Sequence, residues 1–281
     1  MKILNRSTAS CLALFLAMAA HAAKTNFVSG ILAGIDVYHD IADVMTDGPP
    51  VVCHIDCKHP DTVRAAIKEG PKSNHMIYLT KLKGTVEKLS GLPYVPIHYA
   101  QLDGRNLNGG RTRALIVTMM DKSIAAEHTE RLLSLLRKTD IPTIGFCGGH
   151  QLIARAHGGR EALMRPLTPG EEDTHPAYHP GYFKEWCFMP VKIIKADPLF
   201  HGFPEQAVVR EFHAFEVKEL PGDFELLASS DGCRIQAIRH KSKIMYGTQF
   251  HPEHFNAEHP DGEKIVANFF SIAGLRPKQA P

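Results

Sequence analysis

The stretch PTIGFCGGHQLIARAHGG, Pro142 to Gly159, constrains this chain more than any other. An apolar run ending at Phe146 passes into a helical pattern through Gly145-Phe146-Cys147-Gly148-Gly149. That is the form of a nucleophile elbow, in which a tight turn lifts one side chain above the end of a strand and leaves little room for its neighbours. Gly145 and Gly149 supply the room, and Cys147 then stands at the start of a helix from His150 to His157, stopped by Gly158 and Gly159. The unpaired N–H groups and positive dipole end of such a helix favour a thiolate. A small buried cysteine in a glycine-rich turn is the plainer alternative, and what separates the two is whether a base and an orienting group stand elsewhere in the chain.

The stretch YGTQFHPEH, Tyr246 to His254, offers both. IMYGTQF reads as a strand, so His251 falls at its end, and Pro252 holds His251 extended. In extended chain, residues two apart lie on one side, so Glu253 can accept a hydrogen bond from one ring nitrogen of His251 and aim the other at Cys147. With 17 histidines in the chain a single one says little, but His-Pro-Glu closing a late strand is specific.

Around these two stretches the pattern is α/β. VVCHID (Val51 to Asp56), YVPIHY (Tyr94 to Tyr99), RALIVTMM (Arg113 to Met120) and IPTIGF (Ile141 to Phe146) read as strands. A helix from Asp61, as N-cap, to Gly70 carries Val63, Ala66 and Ile67 on one face, and AAEHTERLLSLLRKT is a second. Alternation of this kind predicts a mostly parallel central sheet flanked by helices. After a polar, proline-rich loop at Pro166 to Pro180 come FMPVKII, VVREFHAFEV, FELLASS, RIQAIRH and IMYGTQF, closely spaced strands that predict an antiparallel extension in the second half. The helix GEKIVANFFSIAG closes the pattern. No boundary divides residues 51–275, 276–281 form a tail, and 23–50 hold scattered apolar residues compatible with a short helix ending at Gly48-Pro49-Pro50.

The first 22 residues differ in kind. Lys2 and Arg6, the apolar run CLALFLAMAA and the small-x-small site Ala20-His21-Ala22 describe a secretory signal peptide cleaved near Ala22, giving a periplasmic or secreted protein. The run is too short for a stable membrane span. With Lys2 and Arg6 gone from 32 basic residues, 30 remain against 30 acidic ones, so no polyanion-binding face is expected and nucleic acid is not an expected partner. In an oxidising compartment Cys53, Cys57, Cys187 and Cys233 have three pairing schemes, among which sequence does not choose. Cys53-x-x-x-Cys57 beside His54 and His59 lacks zinc-site spacing, as does His175-x-x-x-His179 in the loop, so no metal or cofactor is expected.

GFCGGHQ followed by GTQFHPE resembles the class I glutamine amidotransferase domain, the group that also contains gamma-glutamyl hydrolases. The likeness spans roughly Val51 to Gly274 and includes DPLFHGFP, FHAFEVKELPGDFELLASS and the closing NFF. It implies that Cys147, His251 and Glu253 form a catalytic triad, that the Gly148 N–H holds the oxyanion, that Gln151 lines a glutamine pocket, and that His213 matches a histidine at the edge of such sites. Where these domains carry Ser-Gly-Gly-Pro, this chain has Thr118-Met119-Met120-Asp121, which places a Met120 N–H in the role of second oxyanion donor. Loss of one such donor costs about 10²- to 10³-fold in rate.

The leading expectation is therefore a thiol hydrolase that cleaves a gamma-carboxamide or gamma-glutamyl amide bond through a cysteine thioester, acting on a small-molecule amide such as glutamine. An amidotransferase subunit feeding ammonia to a separate synthetase is the alternative, disfavoured by export and by the lack of a nucleotide-binding loop. A retired active site serving as a binding protein is the third reading.

Overall fold

The computed structural model describes residues 38–104, 107–118 and 126–276. The segment expected to be a signal peptide, the Met119-Met120 turn and the end of the tail lie outside the described residues.

The described chain begins with α1 (Ile41–Met45), capped by Asp40, whose side chain accepts from the Ala42 N–H. Strand β1 (Val51–Asp56) follows and is buried along its whole length. Next come α2 (Pro60–Glu69), α3 (Asn74–Ser90), β2 (Tyr94–His98) and β3 (Thr112–Thr118), then α4 (Ala126–Lys138) and β4 (Thr143–Phe146). Helix α5 (Gly148–Ala156) leads to β5 (Arg160–Leu163), β6 (Glu185–Ile193), β7 (Gln206–His213), β8 (Phe215–Glu219), β9 (Phe224–Ser229), β10 (Ala237–His240), β11 (Met245–Thr248) and the closing α6 (Asp261–Ile272).

Nine strands form one sheet in the order β2-β1-β3-β4-β11-β10-β9-β6-β7. The first five pair in parallel, the rest antiparallel. Both faces are covered, so the central strands are apolar on both sides rather than alternating. Val52, Ala114 and Ile116 pack on one face with Leu79, Leu82 and Val86 of α3 and Ile265, Phe269 and Phe270 of α6. On the other face Cys53, Ile55, Leu115 and Val117 meet Leu132, Leu136, Leu152 and Ile153 of α4 and α5. The parallel sheet with an antiparallel extension is the expected architecture, and the strand arrangement places β4 and β11 side by side. The elbow and the His-Pro-Glu segment thus emerge from adjacent strands at the same end of the sheet.

Several local expectations are corrected. His59, not Asp61, caps α2, its ring nitrogen accepting from the Asp61 N–H. Helix α3 has no counterpart among the elements expected from sequence, although Ser73 caps it and Gly91, at φ 71°, ends it. VVREFHAFEV is two strands rather than one: β7 stays at the edge of the large sheet, while β8 leaves it to pair with β5 in a two-stranded sheet. The chain changes sheets at Ala214, whose carbonyl accepts from the Met164 N–H. Cys53, Cys57, Cys147, Cys187 and Cys233 are all free, with Cys53, Cys57 and Cys233 buried singly, so none of the three pairing schemes is present. Among the described residues no helix is long and apolar enough to cross a membrane.

The tightest contact in the sheet lies beneath the elbow. A Cβ added at Gly149 would stand 2.0 Å from the Val117 carbonyl oxygen, and one at Gly145 would stand 2.4 Å from the Gly149 carbonyl carbon. Both obstacles are backbone and cannot rotate away. Gly149→Ala should therefore cost about 3 kcal/mol or more, lowering the melting temperature by roughly 6–12 °C; an unchanged thermal melt would contradict this packing.

Candidate active site

Cys147 is the junction between β4 and α5. Its backbone adopts φ 49°, ψ −104°, left-handed space that L residues rarely enter, and the Cys147 N–H is tied to the Thr248 carbonyl of β11 at 2.8 Å. Such strain costs about 1–3 kcal/mol and persists only where surrounding structure enforces it. Here the Gly149–Val117 contact and the β4–β11 pairing enforce it. The side chain stands half-buried at the head of α5, and Gly148 occupies the first helical position, where an N–H has no intrahelical acceptor. Gly148 is therefore placed as an oxyanion donor would be. The second donor named from sequence, Met120, lies outside the described residues.

His251 leaves β11 in extended conformation, its N–H bonded to the Arg210 carbonyl of β7 at 2.8 Å. Its Nδ1 lies 2.8 Å from Glu253 Oε1, the pairing expected from the spacing. His251 Nε2 is buried and has no hydrogen-bond partner, which leaves it open to the thiol. Burial works to lower the His251 pKa, but the Glu253 carboxylate and the Cys147 thiolate outweigh it and hold the imidazole well above its usual value. Burial works to raise Glu253, and His251 outweighs that too, leaving the carboxyl below its usual range. Carboxylate, imidazole and thiol thus stand in line, Glu253 and His251 buried and Cys147 half-buried. Such a line can deliver a nucleophile and then a proton to a leaving amine.

Two residues not singled out in the sequence complete this line. Gln249 Nε2 lies 3.6 Å from Cys147 Sγ, and Gln151 Nε2 in turn donates to Gln249 Oε1 at 3.1 Å and to the Phe215 carbonyl at 3.2 Å. Gln151 thus supports the thiol through Gln249. The strand period that pairs Glu253 with His251 also puts Gln249 on the His251 side, so its signal was present. Tyr78 of α3 donates to Glu253 Oε1 at 3.3 Å, and no signal for it was available without that helix.

His213, expected at the edge of the site, is 1% exposed and set one layer behind it. Its Nδ1 lies 2.9 Å from the Phe215 carbonyl, and its Nε2 lies 3.1 Å from both Glu185 and Glu211. Burial works to lower its pKa, but Glu185, Glu211 and the Cys147 charge together raise it to about 10. The proline-rich loop is largely exposed, but His175 and His179 touch this region. His175 stacks on Trp186 with ring centroids 3.7 Å apart, and His179 meets Phe215 edge-on at 4.9 Å. Tyr178 of the loop has its pKa raised by burial and by the Cys147 charge. Beside His251 opens a cavity of about 560 Å³ whose walls include Tyr78, Phe188, Phe212 and His254, with Lys58 and Arg210 as its cations.

The opposed shifts of Glu253 and His251 fix a pH window. Glu253, lowered, contributes stability above the unfolded carboxylate value that is lost as pH falls through its folded value; His251, raised, contributes stability below the unfolded imidazole value that is lost as pH rises through its folded value. Glu253→Gln keeps the shape and removes the charge. Turnover in this variant should fall by about 10²- to 10⁴-fold, with a flatter dependence of unfolding free energy on pH. Wild-type kcat in the variant would show that the carboxylate does not serve His251.

Comparisons with known proteins agree on the family and the fold. A family model described as glutamine amidotransferase class-I matches residues 117–273, more than half of the chain. Over 145 residues, 52% of this chain and 67% of the relative, the sequence is 37% identical to a glutamine-hydrolyzing GMP synthase subunit of Pyrococcus abyssi. The GMP synthase subunit of the same description from Methanocaldococcus jannaschii is 33% identical over 150 residues, 53% of this chain and 70% of the relative. Among solved structures, one from Thermoplasma acidophilum matches with a TM-score of 0.60 at 22% identity, covering 81% of this chain and 95% of that one. A glutamine amidotransferase from Thermotoga maritima matches at 0.51 and 13% identity, covering 79% and 97%; both likenesses speak for the fold. The chain belongs to the class I glutamine amidotransferase family.

Proposed function

We propose that this chain hydrolyses the side-chain amide of glutamine through Cys147, and that the ammonia released serves a separate synthetase. The observation that carries the chemistry is the convergence of Cys147, His251 and Glu253 at adjacent strand ends, with His251 Nε2 left without a partner. Cys147 Sγ attacks the amide carbon, and the Gly148 N–H stabilises the oxyanion. His251 donates its proton to the nitrogen as the C–N bond breaks, releasing ammonia and leaving a thioester. Water then gives a proton to His251 and its oxygen to the acyl carbon, freeing glutamate and the thiol.

The second half of the proposal reorders the sequence expectations. From sequence alone a stand-alone hydrolase led, and ammonia supply to a synthetase came second. The relatives matched over half of this chain carry the name of a synthase subunit, which favours ammonia supply over gamma-glutamyl hydrolysis. Export is supported by the basic start, the apolar run and the small-x-small site of the first 22 residues. An exported chain would be parted from ATP-dependent partners inside the cell, so secretion of the mature protein would count against ammonia supply and for the stand-alone hydrolase.

A panel of glutamine and gamma-glutamyl peptides, assayed with wild type and Cys147→Ala, tests this reading. Glutamine should be turned over in preference to the peptides, and the variant should lose at least about 10⁴-fold in rate. Full glutaminase activity in Cys147→Ala would refute the thiol mechanism, and a preference for gamma-glutamyl peptides would return the stand-alone hydrolase to first place.

A further inference from the structure

Behind the candidate triad, Glu185, His213 and Cys233 from three segments converge on one buried point, and Glu211 stands against the His213 ring. Glu185 comes from β6, Glu211 and His213 from β7, and Cys233 from the turn before β10; their exposures are 1%, 0%, 1% and 0%. His213 Nε2 lies 3.1 Å from Glu185 Oε2 and 3.1 Å from Glu211 Oε2. The ligand atoms of Glu185, His213 and Cys233 all lie within 4.8 Å of one another.

Hydrogen bonds alone do not satisfy this cluster. His213 Nδ1 is engaged by the Phe215 carbonyl at 2.9 Å, which fixes a proton on Nδ1 because a carbonyl only accepts. In the neutral ring, Nε2 then points a lone pair at two carboxylates. A second proton on Nε2 serves one of them, and the geometry gives it to Glu185. Both oxygens of Glu211 remain without a hydrogen-bond partner in a side chain with no exposure at all. Protonated His213 faces both carboxylates but gives its hydrogen bond to Glu185, and a divalent ion would put a second positive charge at this point.

We propose that Glu185, His213 and Cys233 bind one divalent transition-metal ion of the zinc class, with Glu211 supplying a second negative charge beside it. Around such an ion, bonds of about 2.0–2.1 Å to nitrogen and oxygen set those ligand atoms about 3.3 Å apart, close to the 3.1 Å between His213 Nε2 and Glu185 Oε2. One imidazole, one thiolate and one carboxylate suit a borderline-soft ion better than magnesium or calcium. The surroundings match a metal site as well: a histidine ligand held through Nδ1 by a backbone carbonyl is the usual second-layer arrangement, and Gln236 Nε2 and Ser230 Oγ steady Glu185. Binding displaces the Nε2 proton and the thiol proton to solvent and involves no change of oxidation state. These side chains are at most 1% exposed, so the ion is read as structural. It would pin β6, β7 and the turn before β10, and through the Phe215 carbonyl it would steady Gln151 and Gln249 against Cys147.

The test uses the full chain, stripped with a chelator and titrated with Zn²⁺ and separately with Co²⁺. The expected result is one equivalent of either ion per chain, a thiolate-to-cobalt charge-transfer band, and a melting temperature that rises with Zn²⁺. The band should persist in Cys147→Ala, which excludes the candidate nucleophile as the thiolate, and disappear in Cys233→Ser. Glu211→Gln should weaken Zn²⁺ binding at least about 10-fold. If Cys233→Ser does not fold, wild type and Cys147→Ala still decide the matter. Folded wild type that takes up neither ion, or a charge-transfer band lost with Cys147 rather than Cys233, would overturn the proposal.

Discussion

The approach of Gly149 to the Val117 carbonyl is the constraint on which the rest of the site depends. Any side chain at Gly149 would collide with β3 backbone, so only glycine lets α5 start directly over the sheet. That start forces Cys147 into left-handed space and turns its side chain up from the strand end. The strain is held on the other side by β11, which accepts the Cys147 N–H and continues into His251. Nucleophile and base are therefore placed by one local arrangement, three adjacent parallel strands with a helix pressed on their ends. The second Gly, Gly145, faces the same crossing from below.

The sequence made the parallel half legible because its signals are local. Glycines at two fixed positions mark the elbow, a proline after His251 holds it extended, and strand period two carries Glu253 onto the same ring. The antiparallel half was legible only as a series of strands. Nothing in VVREFHAFEV marks Ala214 as the point where the chain leaves one sheet for another, because that break is made by a tertiary partner, the Met164 N–H. Helix α3 was missed for a different reason. Its buried face mixes Tyr78, His75 and Ser90 with aliphatic residues and dilutes the apolar period, although Ser73 and Gly91 mark both ends. With α3 went Tyr78 and its contact to Glu253.

Histidines in this chain do different work according to what is buried with them. His54, fully buried on β1 between the Tyr94 and Thr118 hydroxyls, has its pKa pushed down by burial to about 4. His251 and His213 are as deeply placed, yet each faces carboxylates that more than offset burial. Burial alone therefore does not identify the functional histidines, and the charge that shares the cavity does. In a sequence with 17 histidines, spacing points to His251 as the partner of Glu253, whereas the carboxylates around His213 are brought to it by the fold.

The central claim is that Cys147 is reactive because His251 and Glu253 face it, and the molecule carries its own control in Cys187, a thiol that is exposed but belongs to no such line. Wild type and His251→Ala should be treated with an electrophilic ketone analogue of glutamine, and the adducts located by peptide mass spectrometry. The account predicts fast stoichiometric labelling of Cys147, little on Cys187, and a steep loss of Cys147 labelling in His251→Ala. Equal labelling of the two thiols, or a Cys147 rate indifferent to His251, would contradict it.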